Sequence, residues 1–191
     1  MLANLNIKVL MIALLAIFGT TYAPQINVMA HDIPAPIKNL VSVDAKQLNC
    51  MAKNIFYEAS GESIKGQAAV ARVVLNRVAH GFGKTPCAVI YQTTQTENGK
   101  VCQFSWVCEG KGEPNKNNYR FKVAQQIAFD TMVHNKYNDV VPKSMLFFHN
   151  LTVTPLLPYA EAVRIGNHIF YSRFKKGSVQ PKKKIPVLDE A

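Results

Sequence analysis

Acid is scarce in this 191-residue sequence, with 12 Asp and Glu against 22 Lys and Arg and a formal net charge of +10. No CxxC pair and no HExxH run is present, so the common zinc signatures are missing. The apolar run VLMIALLAIF, residues 9–18, is too short to span a bilayer comfortably. No internal repeat is visible, and the length suits one domain with a sizeable core plus appendages.

The ends of the chain account for the appendages. Lys8 followed by the apolar run has the form of a secretory signal, which leaves an uncleaved anchor as the other reading. Cleavage has two candidate places, Thr21-Tyr22-Ala23, which Pro24 follows, and Val28-Met29-Ala30 before His31. On either reading the domain is exported to the periplasm, the cell envelope or the medium. The segments expected are 1–30 as signal or anchor, 31–41 as linker, 42–174 as catalytic domain and 175–191 as a flexible basic tail. Arg173, Lys175, Lys176, Lys182, Lys183 and Lys184 give that end six positive charges. An exported tail meets anionic wall polymer or lipid head groups before nucleic acid, and a merely solvated tail is the competing reading.

The four cysteines, Cys50, Cys87, Cys102 and Cys108, agree with export, since an even count there reads as disulfides. Three pairings are open. Cys102 and Cys108 bracket QFSWV closely enough to staple a hairpin-like loop, which favours that pair.

Helical spacing dominates the domain. Leu48, Met51, Ala52, Ile55 and Ala59 form an apolar stripe on a helix starting near Ser42 or Asp44. A second helix, from about Ser63 to Val78, is apolar nearly all round and belongs mid-core. Its polar members Gln67, Asn76 and Arg77 must then be satisfied internally or face a cleft. Gly81 and Gly83 punctuate its end, and a short helix follows from Pro86 to Tyr91. Residues 92–118 read as loops around a short hairpin, 121–133 as an amphipathic helix and 145–149 as a short strand. Residues 163–171 read as a hairpin turning at Gly166-Asn167. The sum is a mainly helical α+β domain with small β-hairpins flanking a cleft.

Within that frame Glu58 falls on the flank of the first apolar stripe, not on its polar side. A carboxyl aimed toward a core is desolvated and keeps its proton near neutral pH, the state that glycoside cleavage requires of an acid. The competing reading is a glutamate that snorkels past the stripe or caps the next helix. Glu62 lies four residues on. In an unbroken helix the two Cβ atoms would be about 6 Å apart on one face, whereas hydrolytic glycosidases place their carboxyls on opposite sides of the bond.

The stretch from Leu48 to Val78, LNCMAKNIFYEASGESIKGQAAVARVVLNRV, resembles the SleB-type cell wall hydrolases, the spore-cortex-lytic enzyme family. So do TPCAVIYQ from Thr85, CQFSWVCEG from Cys102, and MLFFHN followed by RIGNHIFY. The four blocks are in the family's order and span roughly Leu48 to Phe174. Ser60 departs from the pattern, standing where the family commonly has arginine. The resemblance implies a lysozyme-like fold of the lytic transglycosylase kind and peptidoglycan as substrate. It also implies a single-glutamate mechanism that closes a 1,6-anhydro ring on muramic acid. Glu58 would be sole acid and base, with Glu62 supporting or capping it. A two-carboxylate mechanism would draw its partner from Glu97, Glu109 or Asp130.

Sugar faces need aromatic walls, and Tyr57, Tyr91, Phe104, Trp106 and Tyr159 are the candidates, Trp106 foremost. Gln67, Gln103, Ser105 and His149 are the candidate hydrogen-bonding groups. For each aromatic, core packing is the competing reading, and for His149 a satisfied half-buried ring. No cofactor and no metal are expected, since His80, His134, His149 and His168 have no ligand-like spacing. An N-acetylmuramoyl-L-alanine amidase is the alternative on the same substrate, and a non-catalytic wall-binding module is the alternative of another class.

Overall fold

The computed structural model describes residues 44–153, 159–173 and 185–188. The signal or anchor, the linker, Ser42 and residues 174–184 of the basic segment lie outside the described residues.

Asp44 caps α1 (Ala45–Ala59), its carboxylate accepting from the Lys46 N–H at 2.8 Å. The expected stripe is buried at Met51, Ala52, Ile55 and Ala59. Burial also reaches Lys53 and Asn54, because α1 is packed by other helices on more than one side. Ser60 closes α1, and Ser63 opens α2 (Ile64–Ala79) by accepting from the Gly66 N–H at 3.2 Å.

The all-round apolar character of α2 has a direct cause, since the helix separates two cores. Ala68, Ala71 and Val74 pack with Met51, Ile55, Trp106, Phe121 and Ile127. Ala69, Val70 and Val73 turn the other way, toward Ala59, Met145, Val163, Ile165 and Phe170. Gly81, at φ +79°, takes the chain out of α2 in a conformation a side chain would strain.

α3 (Pro86–Ile90) is capped by Thr85 and stapled to α1 by the Cys50–Cys87 disulfide. The hairpin of β1 (Thr93–Thr96) and β2 (Gly99–Cys102) comes next, with Thr96 opposite Gly99. This corrects the expectation of a stapled hairpin-like loop at QFSWV. Phe104 and Trp106 are drawn into the core, so the block winds into the helical turn α4 (Ser105–Cys108), and the Cys102–Cys108 disulfide ties it to β2. The favoured pairing therefore holds around a different local structure. α5 (Tyr119–Met132) begins two residues before the expected start because Asn118 caps it, accepting from the Arg120 N–H at 2.9 Å.

A three-stranded antiparallel sheet completes the domain. Its strands are β3 (Phe147–Asn150), β4 (Tyr159–Ile165) and β5 (His168–Arg173), in the order β3–β5–β4. Val163, Ile165 and Phe170 face the second core, which leaves Phe147, His149, Tyr171 and Arg173 on the outer face. The β4–β5 turn passes through Gly166 at φ +56°.

One appendage needs correction. Residues 185–188 are not a free tail but lie along the open edge of β4. The Arg164 N–H donates to the Pro186 carbonyl and the Leu188 N–H to the Arg164 carbonyl, both at 2.8 Å. The result is a mainly helical α+β domain in which every described cysteine is paired.

Candidate active site

Glu58 stands in the last turn of α1 and is half-buried. Among the described residues no group hydrogen-bonds its carboxyl, so no hydrogen bond offsets the loss of water. Its pKa is pushed up to about 7, first by desolvation and then by the like charge of Glu109, against the opposing pull of Lys111 and Arg77. A carboxyl poised there is populated in both proton states near neutral pH.

Arg77 supplies a buried cation to this region from α2. Its Nε donates to the Leu146 carbonyl at 2.6 Å, and its guanidinium lies 5.5 Å from both the Phe104 and Phe147 ring centres. Gln103, with its amide oxygen turned toward the guanidinium, accepts from the two terminal nitrogens at 2.9 and 3.2 Å. Burial lowers the Arg77 pKa to about 10, which leaves it charged at neutral pH. Ser60 leaves α1 without a cation after the glutamate, and Arg77 provides one from the neighbouring helix. Glu109 and Lys111 form an exposed pair at 2.8 Å on the α4 side, and Lys111 also reaches over Tyr57, 5.6 Å from its ring centre.

Glu62 has a different environment. Its Oε2 accepts from the Asn167 N–H at 3.1 Å and its Oε1 from the Asn167 side-chain amide at 3.2 Å. His168 Nδ1 stands 3.7 Å away, beyond hydrogen-bond reach, and burial keeps that ring's pKa low and the ring neutral. Backbone glycines make the room, for a Cβ at Gly166 would collide with the Glu62 carboxylate and one at Gly66 would sit 3.0 Å from its Cβ. Glu62 thus ties the α1–α2 connection to the β4–β5 turn.

The other candidates divide. Trp106 and Phe104 are 2% and 4% exposed, so neither offers a ring face to a sugar. Trp106 is instead a core residue whose Nε1–H donates to Asn54 at 3.0 Å. Their selection as platforms is corrected: the same bulk that suits a sugar face is what closes this core. Gln67 is likewise buried, its amide donating to the Glu62 carbonyl at 2.9 Å. Tyr57 stacks on Trp106 at 4.9 Å and donates its hydroxyl to the Gly112 carbonyl. Tyr91 remains 40% exposed, and Ser105 is exposed at the start of α4. His149 accepts from the Tyr159 hydroxyl through Nε2 and bonds the Asn150 carbonyl through Nδ1, so both ring nitrogens are engaged on the sheet. Glu97 lies in the β1–β2 turn, and Asp130 is held by Gln126, His134 and Lys136. Among the described residues no three His, Cys, Asp or Glu side chains converge as metal ligands.

Helical periodicity sets Arg77 among the polar members of α2 that must be satisfied internally or face a cleft, but it does not single out Arg77 as the cation near Glu58. The available signal was its position: a charge inside an otherwise apolar helix must meet a partner or a cleft.

Comparison with known proteins adds the family. No curated protein matches the chain. Two solved structures are similar to it. The catalytic domain of the Bacillus cereus SleB protein is 24% identical, with 69% of this chain and 94% of that one covered at a TM-score of 0.47. The catalytic domain of the germination-specific lytic transglycosylase SleB from Bacillus anthracis is 25% identical, with 69% and 98% covered at a TM-score of 0.48. The profile described as Cell Wall Hydrolase matches residues 61–171, a span that contains Glu62 and begins three residues after Glu58. With more than half of its length matched, the chain belongs to the Cell Wall Hydrolase family.

Proposed function

We propose that this cell wall hydrolase cuts the glycan strand of peptidoglycan at the β-1,4 link between N-acetylmuramic acid and N-acetylglucosamine. The domain would be of the lysozyme-like kind, and the reaction a lytic transglycosylation. The observation that carries the reading is Glu58, a half-buried carboxyl with a pKa near 7. Glu62, the other candidate, is tied to Asn167.

Glu58 donates its proton to the glycosidic oxygen as the bond from C1 of the muramic acid breaks, releasing the glucosamine with a free 4-hydroxyl. The carboxylate left behind takes the proton of the muramic acid's 6-hydroxyl, and O6 bonds to C1. The net change moves one proton from O6 to the leaving oxygen, with no water consumed. Lys111 and Arg77 favour the carboxylate through their charges, and desolvation favours the acid, so these opposing influences hold Glu58 where either proton state is accessible. Glu109, paired with Lys111, raises the Glu58 pKa by its charge and is not required as a second carboxylate.

Family membership sets aside the non-catalytic wall-binding module. The amidase alternative would need a metal-ligand set, and the four cysteines are committed to disulfides. Those disulfides and the wall substrate support export of the chain. The basic segment would contact anionic wall polymer or lipid.

Mass spectrometry of peptidoglycan digested by the purified protein tests the reaction. Fragments ending in 1,6-anhydro-muramic acid are expected. Reducing ends would make the enzyme a hydrolytic muramidase or glucosaminidase, and free stem peptide would make it an amidase.

A further inference from the structure

The outer face of an antiparallel sheet is ordinarily polar, because water covers it. Here it carries a run of aromatic rings. Phe147 and Tyr171, paired across β3 and β5, stack at 5.5 Å. Tyr171 meets Tyr159 at 4.7 Å, and Tyr159 stacks on His149 at 5.8 Å. All four are half-exposed, whereas Phe170 on the opposite face is fully buried.

Two further features give the face a chemistry. His149 accepts the Tyr159 hydroxyl proton while its Nδ1–H is held by the Asn150 carbonyl, which fixes the Tyr159 ring in one orientation. Arg173 is exposed, with its guanidinium 4.1 Å from the Phe147 ring centre, and no described carboxylate pairs with it. The face also adjoins the acid's surroundings: Arg77 packs over the same Phe147 ring and lies within electrostatic range of both Glu58 and Arg173.

We propose that the outer face of the β3–β5–β4 sheet is a glycan platform beyond the cleavage point, where Tyr171 and Tyr159 stack on amino-sugar rings and Arg173 pairs with a carboxylate of the muramic acid substituent. This rests on the glycan-strand reading. Tyrosine suits the task, since its ring covers the C–H face of a sugar while its hydroxyl meets the polar rim. An arginine held flat on an aromatic ring is pre-organised for a carboxylate. His149 is a positioning residue here, acting through Tyr159.

The test uses the full chain carrying Glu58→Gln, so that ligand is held without turnover. Two probes are titrated: a neutral N-acetylglucosamine oligosaccharide, and peptide-free peptidoglycan glycan whose lactyl carboxylates are free. Tyr171→Ala should weaken both by about fivefold to tenfold, the scale of one aromatic stacking contact. Tyr171→Leu, which keeps apolar bulk for folding, should show the same loss. Arg173→Gln should weaken only the carboxylated glycan, by about fivefold, and added salt should erase that difference. Lower melting temperatures with unchanged dissociation constants would overturn the platform, and equal losses on both probes for Arg173→Gln would overturn the carboxylate. Cleavage of the glycan during titration would instead count against Glu58 as the acid. Peptide release by the unmodified enzyme would count against the glycan reading.

Discussion

Glu58 and Glu62 are four residues apart and occupy opposite kinds of surroundings. Around Glu58 the fold withholds hydrogen bonds, removes water and places one like and two unlike charges within range. Around Glu62 it supplies two hydrogen bonds from Asn167 and two glycines that make room for the side chain. The break at Ser60-Gly61 separates the two, because it turns the second carboxylate off the α1 axis and toward the β4–β5 turn. Unmet valence suits a group that must exchange a proton, and full satisfaction suits one that must hold two elements together.

The sharpest way to break this comparison is Glu58→Gln. Glutamine keeps the shape and cannot give or take the proton, so turnover should fall by about 10² to 10⁴ while the fold persists, read by product release and a melting curve. Near-native activity in a folded variant would end the single-acid mechanism.

The proton itself gives a second prediction. The donor form of Glu58 is lost as pH rises through about 7, so kcat/KM should fall along a one-proton limb there. Stability follows the same group. Because its folded pKa lies above the ordinary 4.5, the stabilisation by the bound proton is complete below 4.5 and is lost as pH rises to about 7. Glu58→Gln escapes that loss, so its stability relative to the native protein should rise between pH 4 and 8, by at most about 3 kcal/mol. A pH-independent difference would show that the carboxyl is not desolvated.

How far the comparison was legible in the sequence depends on range. Asp44, Ser63 and Thr85 cap their helices as local chemistry dictates, and Gly166-Asn167 turns its hairpin for the same reason. The flank position of Glu58 followed from helical periodicity alone. Trp106 and Phe104 were misplaced because periodicity does not say which aromatic closes a core 50 residues away, where Asn54 waits for the indole. The partners of Glu62 are 105 residues distant, and those of Arg77 are 26 and 69, so no local pattern reports them.

The Glu62 side of the comparison is tested by stability before activity. Glu62→Ala removes both hydrogen bonds to the exposed Asn167, each worth about 0.5–1.5 kcal/mol net, and so should cost about 1–3 kcal/mol, while activity falls less than for Glu58→Gln. Gly166→Ala should also destabilise, both from its φ of +56° and from the collision of its Cβ with Glu62. Removing Glu62 relieves the collision but not the backbone strain. The two losses should therefore sum to more than the loss of the double variant, and strict additivity would deny the contact. A larger loss of turnover at Glu62 than at Glu58 would exchange their roles.

The smallest expected effect comes from the far end of the chain. Arg164 joins that end to the same turn: its backbone pairs with Pro186 and Leu188, and its Nε donates to the Gly166 carbonyl at 3.0 Å. Ending the chain after Lys184 removes two backbone hydrogen bonds from the β4 edge and keeps every lysine of the basic segment. Each such bond is worth about 0.5–1.5 kcal/mol net, so the melting temperature should drop by a few degrees. Hydrogen exchange should quicken at the Arg164 amide first, since its acceptor is gone, and then at the turn that Arg164 braces. Glu58 is not part of this edge, so turnover of soluble glycan should stay close to native. Faster exchange confined to Arg164 would show that the terminal segment covers the edge without supporting the turn.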